Sequence, residues 1–170
     1  MCDFALPDSA LGVDGCSAPT FALPLRNTAL GLARLCDPPP SLGDTRRAAC
    51  AKISGAMMAY PDMVHGPGGF DSELMRVGQG RILSKRGAEG LQVIGLLPGV
   101  AGEKGVGIAL KVTDGDSAYR VRPAVTVQLL QKLGALDASQ CARLAKFGPE
   151  LTLRNWRGIP TGPARAVARL

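Results

Sequence analysis

The sequence predicts an α+β fold in which helices flank an antiparallel sheet. Three observations carry this. Apolar residues recur at helical spacing before residue 60 and again after residue 117, two apolar stretches of strand length lie at 91–97 and 106–112, and the chain is rich in turn residues and poor in aromatics. With 170 residues it suits one domain, 1–170. Hydrophobic residues at 46% and charged residues at 20% describe a packed core and not a disordered chain. Aromatics at 4%, against 22 Gly and 13 Pro, point to a core of small aliphatics crossed by many turns. They leave little to stack on single-stranded nucleic acid, which is therefore not an expected partner.

The elements follow in chain order. Over 24–36, Leu25, Ala29, Leu32 and Cys36 share one helical face, and Asp37-Pro38-Pro39-Pro40 stops the helix. A second helix is expected over 45–59, with Ala49, Ile53 and Ala56/Met57 inward and Pro61 barring continuation. The stretch PDMVHGPGGF, 61–70, reads as a loop long enough to line a cleft, followed by a helical turn near 72–77. The segment 91–97 is apolar on both faces. In 106–112, Val106, Ile108, Leu110 and Val112 alternate with Gly107, Ala109 and Lys111, so PGVAGEKG is expected to join an antiparallel pair. Lys85 should stand at the end of the first of these strands, facing a cleft. After the turn Thr113-Asp114-Gly115-Asp116, a helix over 118–133 stacks Val125, Leu129 and Leu133 and ends at Gly134. Another opens at Asp137, with Gln140 at capping-box spacing, and should bury Ala138, Cys141 and Ala145. A last strand is expected over 151–156.

The charge balance of 20 Lys+Arg against 14 Asp+Glu gives +6. No acid follows Glu150, whereas Arg154, Arg157, Arg165 and Arg169 do. This tail reads either as a solvated or docking face or as a contact for phosphate or an acidic lipid surface. Asp3 and Asp8 precede any apolar stretch, and the longest nearly apolar run, 91–102, is too short to span a bilayer, so neither a membrane segment nor a leader is expected. Five cysteines without a CxxC do not read as a disulfide framework and fit a reducing cytoplasm.

Common catalytic and nucleotide-binding patterns fail on spacing. Gly78-Gln79-Gly80 and Gly105-Val106-Gly107 each begin a dinucleotide fingerprint, but Leu83 and Leu110 occupy the third glycine position. His65 is the only histidine, and no Ser, Thr or Cys has a Lys three residues on, the spacing that sets an amine beside a nucleophile as its base. Two patches are left. In Val13-Asp14-Gly15-Cys16, a carboxylate and a thiol flank a turn glycine, which suits either a structural cysteine or a partial site for a borderline cation such as zinc. In Ser84-Lys85-Arg86-Gly87-Ala88-Glu89-Gly90, glycine lets a substrate lie close to a strand edge while Lys85 binds a carboxylate or tunes a proton transfer; a salt-bridged strand end is the competing reading.

The segments VDGCSAPTFALPL, AMMAYPDMV, FDSELM, SKRGAEG, GVGIALKVTDG and RNWRG, in this order, resemble the asparaginase II family, the rhizobial type of L-asparaginase. The resemblance covers nearly the whole chain. It implies hydrolysis of L-asparagine to L-aspartate and ammonia by a cytoplasmic homodimer, on a fold similar to serine β-lactamases and penicillin-binding proteins. There Lys85-Arg86-Gly87 looks like the Lys-Thr/Ser-Gly strand motif. By the same resemblance Lys85 and Asp14 are the catalytic candidates, Lys85, Gly87 and Glu89 the substrate contacts, and Cys16 a zinc ligand with Asp14 as its supporting carboxylate. Family chains are about twice as long, and the Ser-x-x-Lys and Cys-x-x-Lys pairs of their N-terminal half have no counterpart here. The chain thus resembles the C-terminal half, with an incomplete zinc ligand set and no expected activity alone. His65 and Gly69 stand where relatives often carry a small residue and Arg. Two rival readings are a non-catalytic remnant that acts as a pairing module, and an enzyme using Cys2 as an N-terminal nucleophile.

Overall fold

The computed structural model describes residues 1–5 and 11–168; Asp8 and Arg169 of the charge pattern lie outside them. A small hairpin of β1 (Leu11–Val13) and β2 (Pro19–Phe21) leads into α1 (Leu25–Cys36). Then follow α2 (Asp44–Ala59), α3 (Asp62–His65), α4 (Phe70–Gly78), β3 (Ile82–Arg86), β4 (Leu91–Leu96) and β5 (Val106–Lys111). The chain continues through α5 (Val121–Lys132) and α6 (Ala138–Arg143) to a closing hairpin of β6 (Glu150–Arg154) and β7 (Pro160–Arg165). The architecture is α+β, and every strand pairing is antiparallel.

The central sheet has the order β3-β4-β5, with Leu83 opposite Gly95 and Gly95 opposite Gly107. Its pleat sends Ile82, Ile94 and Leu96 to one face, where they join Phe70, Leu74 and Val77 of α4 and Val127 and Leu130 of α5 in the core. The other face is nearly flat at its centre because two glycines stand side by side. A Cβ on Gly95 would collide with Cys36 Sγ and one on Gly107 with the Ala29 carbonyl oxygen, so α1 seats on the sheet only because both are absent.

The pairing of 91–97 with 106–112 is as the alternation predicts, with β4 and β5 each one residue shorter. Other expectations need correction. Lys85 does not end β4; it belongs to β3, a strand the sequence reading missed because only Ile82 and Leu83 signal it before the charged pair. The 61–70 loop holds α3, and the helical turn at 72–77 is the two-turn α4. In α2 the buried positions are Cys50 and Ser54, while Ala49 and Ile53 face outward. The helix expected from 118 starts at Val121, because the Asp116 carboxylate accepts the amides of Arg120, Val121 and Arg122 at 3.0 Å each and fixes the first turn there. Its buried face is Pro123, Thr126, Val127 and Leu130, not Val125, Leu129 and Leu133. The capping box of Asp137 and Gln140 forms, but Leu144 is the residue buried there, with Ala138 and Ala145 exposed and Cys141 half-buried. Trp156 lies in the β6–β7 turn, outside the strand, and is fully exposed. Among the described residues no helix is long and apolar enough to cross a membrane.

Candidate functional site

Asp14 and Cys16 occupy the tip of the β1–β2 hairpin, both exposed. The turn is closed by Ser17 N donating to Asp14 O (2.8 Å) and Asp14 N to Ala18 O (2.9 Å), with Ser17 in the left-handed region at φ 67°. The Asp14 side chain turns back on this loop: Oδ1 accepts the Gly15 amide at 2.7 Å and Oδ2 lies 3.7 Å from Cys16 Sγ. The two groups are thus neighbours, as a shared metal would require. Among the described residues, however, no three His, Cys, Asp or Glu converge on one ion. A pair supplies fewer donors than zinc takes from protein, so these residues alone do not fit a complete zinc site.

Lys85 lies on β3 opposite Val93, and the pleat places its side chain on the face that carries Leu83 and Gly95. It is exposed, and its Nζ donates at 2.6 Å to the Arg86 carbonyl, a bond to its own neighbour. Gly87 begins the turn into β4, in which Gly87 N donates to Leu91 O at 2.9 Å. Glu89 is at its exposed tip with φ 52°, followed by Gly90 at φ 77°. Lys85, Gly87 and Glu89 therefore share one strand end. No described hydrogen bond or ion pair joins them to Asp14 or Cys16, so the structure presents two separate patches.

Behind Lys85, on the core side of β3, stands a polar cluster that the sequence reading did not single out. Asp71, the second residue of α4, is wholly buried together with Ser84 and Gln92. Its Oδ1 accepts Ser84 Oγ at 2.6 Å and Gln92 Nε2 at 2.7 Å, and its Oδ2 accepts the Arg86 amide at 3.1 Å. His65 Nδ1 lies 3.0 Å from Oδ2 and 3.1 Å from the Asp71 amide nitrogen. The His65 ring nitrogen accepts the Asp71 amide, so the donors to the carboxylate are Ser84 and Gln92 at Oδ1 and the Arg86 amide at Oδ2, without which a buried carboxylate would be costly. Ser, Asp and His are thus adjacent but wired Ser–Asp–His. A hydrolytic triad needs the imidazole between serine and carboxylate, and Ser84 is sealed from solvent, so the cluster is not a nucleophile.

Electrostatics around it are one-sided. Burial lowers the His65 pKa; the Asp71 carboxylate opposes that, and the Arg86 and Lys85 charges reinforce it. The Tyr119 ring meets His65 edge-on at 5.6 Å and carries the Arg122 guanidinium 4.5 Å above its centroid, with Arg86 at 5.5 Å. Burial, aided by Asp71, pushes the Tyr119 phenol up to about 12, so it stays protonated. The Cys36 thiol, buried at the end of α1 against the sheet, is pushed up to about 11 by burial and is no thiolate nucleophile.

The fold and these two patches do not by themselves name a reaction. The L-asparaginase II family model matches residues 1–166, and the chain belongs to that family. Asparaginase-like amide hydrolysis is accordingly the activity class of its family. No curated protein matches the chain.

Proposed function

We propose that the chain serves the hydrolysis of L-asparagine to L-aspartate and ammonia by presenting Lys85 as the cation that orients the substrate carboxylate or relays a proton, with Gly87 and Glu89 beside it. The observation that supports this most directly is the exposure of Lys85 at a braced strand end in a chain of the L-asparaginase II family. Nucleophile and base come from outside these residues. Amide cleavage needs an activated nucleophile and stabilisation of the tetrahedral oxyanion, and no Ser, Thr or Cys here has a Lys one helical turn on. Asp14 and Cys16 are two donors that further ligands would complete for zinc. The reading includes a homodimer in a reducing compartment, in keeping with free cysteines at Cys36 and Cys50 in the interior.

The test is ammonia release from L-asparagine by the pure chain, by Lys85→Ala, and by each mixed with a separately expressed N-terminal half of a relative. The chain alone should be inactive with or without zinc. The mixture should turn over, and Lys85→Ala should lower its rate by about 100-fold or more. Turnover by the isolated chain that vanishes in Lys85→Ala would place the nucleophile inside it and overturn the proposal.

A second reading, a non-catalytic pairing module, is favoured by one observation. Of the 12 large hydrophobic side chains exposed among the described residues, eight fall within the first 63 positions, among them Val13 at 79% and Met63 at 87%. Inactivity of every mixture would turn the balance to this reading.

A further inference from the structure

We infer that Asp71 is the positioning residue for Lys85: from the opposite side of the strand it fixes the backbone on both flanks of the lysine. This rests on the role proposed for Lys85 above. Among the described residues β3 is an edge strand, paired with β4. Successive residues of a strand face opposite ways, so Ser84 and Arg86 point away from the face that displays Lys85. Asp71 holds both, Ser84 through its hydroxyl at 2.6 Å and Arg86 through its amide at 3.1 Å. It also reaches across to Gln92, the β4 partner of Arg86, at 2.7 Å.

A second brace acts one residue further on. Arg122 donates through Nη1 to the Gly87 carbonyl at 2.9 Å and is itself held by Asp116 Oδ2 at 3.1 Å from its Nε. Groups from α4 and α5 thus grip Ser84, Arg86 and Gly87, while among the described residues the Lys85 ammonium bonds just its neighbour's carbonyl. The strand end is fixed and the cation is left free for a substrate. Full burial of Asp71, with donors to its carboxylate from both β3 and β4, makes this a dedicated structure and not a chance surface contact.

Two measurements on the full chain and its mixture with the N-terminal half test the inference. In Asp71→Asn, where an amide group faces the donors of Ser84, Gln92 and Arg86, exchange at the Lys85 and Arg86 amides should speed up about tenfold or more, with β5 amides unchanged. Ser84→Ala, which removes the hydroxyl's bonds to Asp71 and Gln92 but leaves the carboxylate and its bond to the Arg86 amide, should give a smaller change in the same direction and covers the case in which Asp71→Asn does not fold. In the mixture, Asp71→Asn should lower kcat with little change in KM, and should add nothing in a Lys85→Ala background, because a residue acting through Lys85 has no effect once the lysine is gone. Unchanged exchange at Arg86 in both variants, or losses from Asp71→Asn and Lys85→Ala that simply multiply, would overturn the inference. A wild-type mixture without turnover would instead remove the proposed function, and the exchange data would still decide whether Asp71 sets the strand.

Discussion

His65 is the only histidine of the chain, so acid sensitivity between neutral pH and the carboxylate range can be traced to one side chain. Its pKa in the folded protein is lowered below 6.5, chiefly by burial. The unfolded chain therefore binds a proton here more readily than the native one. Stability is fully present above about pH 6.5 and declines as pH falls from there through the folded pKa. The melting temperature should drop between about pH 7.5 and about pH 5.5, and His65→Gln should flatten that drop. An equal drop in the variant would assign the sensitivity to other groups. Lys85 and Gly87 were legible as candidates because a cation and a glycine next to a strand signal form a local pattern. Asp71 was not, because an acid in the first turn of a helix is what the helix dipole favours anywhere. Its significance comes from Ser84, Gln92 and Arg86, which lie 13 to 21 residues away.

The helices were legible as elements and much less so as faces. In α5 apolar residues run almost all the way round, so periodicity alone does not choose between the Val125/Leu129 side and the Val127/Leu130 side; the Asp116 cap and the sheet choose the latter. β7 escaped notice because Pro160 and Pro163 interrupt it, which a strand at the edge of a two-stranded hairpin tolerates. The seat of α1 has a sharp energetic signature. Gly107→Ala would drive a methyl group into the Ala29 carbonyl, a backbone atom that cannot swing aside, and Gly95→Ala would press on Cys36. Each should destabilise the fold by about 1–3 kcal/mol or more in denaturant titration. Gly55, inside α2 with open space around its Cα, is the control: Gly55→Ala should stabilise by about 0.5–1 kcal/mol. Equal effects at Gly107 and Gly55 would mean that α1 does not rest on the sheet as described.

At the scale of the whole molecule, apolar exposure is concentrated at one end of the chain. Leu11, Val13 and Phe21 lie on the first hairpin and Leu25 at the start of α1, while Ile53 is on α2 and Tyr60 and Met63 follow it. Where such side chains adjoin in one patch, the patch marks an interaction surface. The purified chain should bind an apolar dye and self-associate by light scattering, and both signals should fall when the N-terminal half of a relative is added; a dye-silent monomer would contradict this. The α+β class and the pairing of β4 with β5 could be read from composition and alternation, and uncovered apolar surface in the N-terminal third is what resemblance to half of a larger domain implies; the residues of α2 that supply it could not be read, since that depends on which face of the helix turns inward. One further consequence follows from the way Asp71 meets β3. A side chain takes the Arg86 amide, and Ile82 to Ser84 are buried beside α4, so that margin of the sheet offers no template to another chain. Growth of the sheet by an incoming strand, whether in assembly or in aggregation, is therefore disfavoured on this side, and the same carboxylate that steadies the lysine acts as a guard against the wrong neighbour.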